Sequence, residues 1–67
     1  MTKLERLRRE RGILQKDLSA RSLVTVRTIR NIEKGNTEKV QKRIRGLLAV
    51  AFGLTPSDLF TKEGRAR

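Results

Sequence analysis

Sixty-seven residues allow one domain with a small core and little stability to spare. The chain has neither cysteine nor histidine. That excludes disulfides, thiolate metal ligands and the commonest general base, and it points away from an oxidising compartment. Seventeen Lys and Arg against seven Asp and Glu leave a net charge of +10, which calls for a polyanionic partner, either nucleic acid or an anionic membrane.

The first helix is expected from about Thr2 to Arg11. Thr2 and Glu5 have capping-box spacing, Leu4 and Leu7 make a narrow apolar stripe, and Gly12 suits the left-handed position that ends a helix. A second helix follows from about Gln15 to Ser22 with Leu18 as its core contact. The third runs from about Val26 to Lys34, with Thr25 as N-cap, Val24 in the staple position, Ile29 and Ile32 as the buried stripe and Gly35 as the stop. The segment Leu14 to Gly35 thus holds two short helices with no room for a linker between them. That is the sequence shape of a helix-turn-helix, whose second helix enters the DNA major groove.

The fourth helix is expected to start after Asn36 or Thr37 and end at Phe52, since Val40, Ile44, Leu47, Leu48, Ala51 and Phe52 recur at helical spacing. Val50 falls off that stripe, where it belongs either to a dimer seam or under the next helix. Thr55, Pro56 and Asp58 open a short fifth helix, which folds Leu59 and Phe60 onto the core. Residues 1–60 then form the domain and residues 61–67 a polar, frayed tail. The fold expected is all-α, a compact bundle of five short helices. The longest apolar run, Leu47 to Phe52, is far too short to span a bilayer, and Met1 to Glu5 carry no apolar stretch of signal-peptide length. The only aromatic residues, Phe52 and Phe60, lie in apolar helical patterns. No platform remains for stacking single-stranded bases, which favours duplex DNA.

In order and spacing, Leu7, Arg8, Gly12, Gln15, Leu18, Val24, Thr25, Thr28, Ile29, Ile32, Glu33 and Gly35 resemble the phage-repressor and Cro-like helix-turn-helix family. The closing run Gly53-Leu54-Thr55-Pro56-Ser57-Asp58-Leu59-Phe60 is also similar to that family's last helix. The resemblance covers about Leu4 to Phe60 and implies a lambda-repressor-like DNA-binding domain. Two positions depart from it. Leu23 stands where the family often has glycine, at a cost of about 1 kcal/mol in a left-handed turn. Leu14 stands where serine or threonine often caps helix two, leaving Asp17 or water to serve the exposed N–H groups.

The base-contacting candidates are Val26, Arg27, Thr28 and Asn31, at the start and along one face of the third helix. Arg27 has the donors to pair with guanine, Asn31 the geometry to read adenine, and Val26 a surface for a thymine methyl. The phosphate candidates are Gln15, Thr25, Arg30, Lys39, Lys42 and Arg43. Gln15 in the family also braces the recognition helix, and Thr25 serves as a cap first. Arg45 reads as a solubility charge, and Arg6 and Arg9 carry no DNA role. The resemblance further implies an ion pair between Arg8 and Glu33, with Glu33 one turn on from Ile29. No catalytic, cofactor or metal residues are expected.

The function expected is a sequence-specific double-stranded DNA-binding regulator, a repressor bound as a homodimer to a palindromic operator, prokaryotic or phage-encoded, in the cytoplasm at the nucleoid. Alternatives are the autoregulating antitoxin of a toxin–antitoxin pair and a non-specific cationic RNA- or membrane-binding module. The last needs one broad apolar face, whereas the apolar residues here are divided among five short helices. A toxin or anti-repressor is the protein partner these readings would admit.

Overall fold

A computed structural model describes residues 1–67. It is all-helical: α1 (Lys3–Glu10), α2 (Gln15–Ser22), α3 (Val26–Glu33), α4 (Lys42–Ala51) and α5 (Pro56–Leu59). The helices enclose one core, in which Leu4, Leu18, Ile29, Ile32, Leu48, Leu59 and Phe60 are the largest fully buried side chains. α4 is central, packing on α2 and α5, and α2 packs on α3. No helix is long and apolar enough to cross a membrane.

Each helix begins and ends where local chemistry dictates. The Thr2 hydroxyl accepts the Glu5 N–H at the start of α1, and the Thr25 hydroxyl accepts the Thr28 N–H at the start of α3. Leu14 has no acceptor to offer α2, so the Asp17 carboxylate reaches back and accepts the Leu14 N–H at 3.3 Å. Between α2 and α3 the buried Ser22 hydroxyl donates to the Leu18 carbonyl at 2.7 Å and accepts the Val24 N–H at 3.2 Å. Leu23 adopts the left-handed conformation, φ 63°, with its side chain 79% exposed. The branched residue therefore takes up the turn that glycine often supplies, without any apolar burial to offset the strain.

Two expectations for the second half of the chain are corrected. α4 begins at Lys42 rather than after Asn36 or Thr37. Val40 is buried as expected, but from a non-helical segment, with its N–H donated to the Gly64 carbonyl at 2.9 Å. Residues 61–67 are not frayed. Their backbone turns on itself, with Thr61 N–H donating to Arg65 O and a single antiparallel bridge between Phe60 and Ala66. Arg67 O then accepts the Lys3 N–H at 2.6 Å, and the Arg67 guanidinium donates to the Ser57 and Phe60 carbonyls. The tail is polar in its side chains yet held through its main chain.

The buried face of α4 also differs from the expected stripe. Arg45, Leu48, Ala49 and Phe52 form the buried stripe, while Ile44, Leu47 and Ala51 are half-buried along its flank. Val50 is 76% exposed, so α5 does not cover it. Arg11, at the end of α1, donates to the Phe52 carbonyl at 3.2 Å and lies 5.2 Å from the Phe52 ring centroid. This cation–π contact ties α1 to the end of α4.

Candidate nucleic-acid interface

The orientation of α3 rests on a polar hub at its C-terminal end. Glu33 is buried and accepts three hydrogen bonds: Arg8 Nε at 2.7 Å, Arg8 NH2 at 3.1 Å and Gln15 Nε2 at 3.1 Å. Arg8 NH1 donates to the Ile13 carbonyl at 2.9 Å, so every nitrogen of that guanidinium has a partner. One carboxylate thereby joins α1, α2 and α3. The hydrogen bonds that Arg8 donates to Glu33 hold its pKa above the ordinary value, against the opposing effect of burial. Gln15 uses its amide nitrogen inward on Glu33, so the side chain braces α3.

With Ile29, Ile32 and Glu33 turned inward, the helical repeat puts Arg27, Arg30, Asn31 and Lys34 on the opposite face. All four are exposed, and none of their side chains makes a hydrogen bond or ion pair within the protein. Lys34, the C-cap residue of α3, was not singled out from the sequence, although its spacing from Arg27 and Arg30 places it on the same stripe. Val26 and Thr28 flank the stripe and are half-buried. The Thr25 hydroxyl, besides accepting the Thr28 N–H, donates to the Thr28 hydroxyl at 2.9 Å, so these two side chains are partly committed to each other.

The segment between α3 and α4 lies alongside α3. Thr28, Ile32, Thr37, Lys39, Val40, Gln41 and Ile44 line one groove of about 340 Å³. Thr28 and Lys39 are thus brought to the same depression. Lys42 is the first residue of α4, and Gln41 before it makes no side-chain cap bond. The first-turn N–H groups of α4 are left open beside two lysines, a favourable setting for an anion. Arg43 is exposed on the outward face of α4, two turns from Val50, and away from that groove. Arg45 corrects the solubility reading: it is only 8% exposed, because the tail closes over that side of α4.

No group of histidine, cysteine and carboxylate side chains is placed to hold a metal ion. The arrangement offers exposed basic side chains on α3 and on the segment after it, with a groove between the two. A family model described as helix-turn-helix matches residues 4–59. No curated protein and no solved structure matches the chain significantly.

Proposed function

The chain belongs to the Cro/C1-type helix-turn-helix family of DNA-binding transcription regulators, which is not an enzyme family, and on that premise we propose that it is a repressor reading a palindromic operator as a homodimer. The observation that carries sequence reading is the outward stripe of α3. Arg27, Arg30, Asn31 and Lys34 present hydrogen-bond donors that nothing in the protein uses, on a helix whose angle is fixed by Glu33. Arg27 and Asn31 contact base edges, with Val26 and Thr28 beside them. Arg30, Lys39, Lys42 and Arg43 hold phosphates, and Gln15 and Thr25 contribute backbone contacts secondary to their structural bonds.

One such domain reads few base pairs, and two-fold repetition on DNA is the common remedy. The exposed Val50, beside the half-buried Leu54, is the apolar surface that favours association through the α4–α5 corner. The site of action is the cytoplasm, at the nucleoid.

Selection of sites from random duplex DNA tests the proposal. The expected result is an enriched palindrome with half-site centres about 10–10.5 bp apart. A motif without symmetry refutes the dimer, and no motif at all refutes sequence reading. On the selected site, Arg27→Ala is expected to cost about 1–3 kcal/mol and to relax one position per half-site. Equal weakening on selected and scrambled duplexes would reduce Arg27 to a phosphate ligand.

A further inference from the structure

The protein contains two buried guanidinium groups and treats them differently. Arg8 is matched on every nitrogen and faces a carboxylate. Arg45 is nine-tenths buried, yet its only hydrogen bond is a long one, NH1 to the Lys62 carbonyl at 3.5 Å. Its Nε is buried with no partner. The ion pairs of the protein are Arg8–Glu33 and Arg9–Glu5, so no carboxylate lies within ion-pair distance of Arg45. A desolvated cation left without a counter-charge is among the costliest features a small domain can carry. A buried donor without a partner also calls for a specific explanation, a missing ion among them.

The surroundings supply that explanation. Arg45 lines an open cleft of about 570 Å³ together with Lys39, Gln41, Lys42, Lys62 and Glu63. Four of these six residues are cationic, and one is a carboxylate. Lys39 and Lys42 come from the segment entering α4, at the positive end of a ten-residue helix. Lys62 comes from the C-terminal turn, which the Val40–Gly64 backbone bond holds against that segment. The cleft therefore exists only because the tail is ordered.

We propose that this cleft is a binding site for a phosphate-type oxyanion, with the Arg45 guanidinium at its inner wall turning from its long bond to the Lys62 carbonyl to supply the fork of donors, and Lys39, Lys42 and Lys62 supplying charge around it. A guanidinium presents parallel N–H donors at the spacing of two phosphate oxygens, which a lysine ammonium does not. The same chemistry is offered by a phosphodiester of the DNA backbone and by free inorganic phosphate. The DNA source rests on the phosphate roles proposed above for Lys39 and Lys42, whereas the free-phosphate source does not.

The test follows the Arg45 Nε–H resonance by NMR while inorganic phosphate replaces chloride at constant ionic strength. The expected result is a saturable shift that Arg45→Met abolishes. Should that variant not fold, Lys62→Ala carries the test, since its side chain is exposed. Saturation then moves to severalfold higher phosphate with the melting temperature unchanged. Duplex DNA separates the two sources. If DNA displaces phosphate, and Lys62→Ala lowers the salt slope of DNA binding by about 0.9, the ligand is the DNA backbone. If phosphate stays bound in the DNA complex and that slope is unchanged, the ligand is free phosphate. A shift that chloride reproduces, that does not saturate, or that Lys62→Ala leaves at the same midpoint overturns the site, whatever the outcome for operator binding.

Discussion

Removing the Glu33 carboxylate is the most damaging single polar substitution that this structure predicts. Glu33→Ala deletes the acceptor of two Arg8 donors and of the Gln15 amide, all in a buried setting. Arg8 keeps its bond to the Ile13 carbonyl but loses its counter-charge. Breaking a buried pair from one side costs about 3–5 kcal/mol. A domain of this length has about 3–10 kcal/mol in total at the usual density per residue, so the variant should lose about a third or more of its stability, with a correspondingly lower urea midpoint. Glu5→Ala is the control. Its partner Arg9 lies at 2.8 Å in a surface i,i+4 pair, with the Arg9 side chain 61% exposed, and such pairs contribute about 0.3–0.5 kcal/mol. Urea denaturation followed by circular dichroism measures both. A third variant, Arg8→Met with Glu33→Leu, replaces the pair by apolar groups and should recover most of the loss, since the penalty lies in the orphaned charge. Equal midpoints for Glu33→Ala and Glu5→Ala would refute the hub. A double variant no better than Glu33→Ala would refute the orphaned-charge explanation.

Leu23→Gly should stabilise the protein by about 1 kcal/mol, raising the melting temperature by about 4–8 °C, because it relieves a left-handed leucine that buries little; an unchanged or lower melting temperature would show that the leucine packs usefully after all. Asp58 accepts the Thr55 N–H and hydroxyl, both at 2.9 Å, and these bonds hold its pKa below the ordinary aspartate value. A depressed folded-state pKa adds stability above the unfolded value and loses it as pH falls through the folded one. Asp58→Asn should therefore melt below the parent near neutral pH and converge with it in acid, whereas a gap constant from neutral to strongly acidic pH would sink the assignment.

The first three helices are legible in the sequence because their ends are punctuated. Thr2 and Thr25 have the oxygen a cap requires, and Gly12 and Gly35 stand where the chain turns left-handed, at φ 65° and 74°. The capping of α2 was less legible, since Asp17 acts from inside the helix. The start of α4 was hidden by Val40, an apolar residue in helical register with Ile44 that is buried from a non-helical backbone. The ordered tail had little sequence signal, because most of its bonds are between main-chain atoms and the side chains that add to them, Thr61 and Arg67, look like those of any solvated terminus. The burial of Arg45 follows from the tail and was hidden with it. Of the interface, the stripe of α3 follows from Ile29 and Ile32 alone, whereas the cleft beside α4 joins residues some twenty positions apart and has no local signature.

The four outward side chains of α3 bear no structural duty. Arg27, Arg30, Asn31 and Lys34 touch solvent, while the helix is aimed by Ile29, Ile32 and Glu33 on its other side. Exposed positions of this kind usually tolerate exchange within about 0.5 kcal/mol. On the proposed reading, most of the recognition stripe of α3 and its C-cap thus lies on residues that the fold does not use, with Val26 and Thr28, half-buried beside it, as the exceptions. A lineage carrying this scaffold can drift to a new target by rewriting that stripe, without passing through unstable intermediates. An engineer can vary the same four positions, leaving out proline and glycine, and expect most clones to fold.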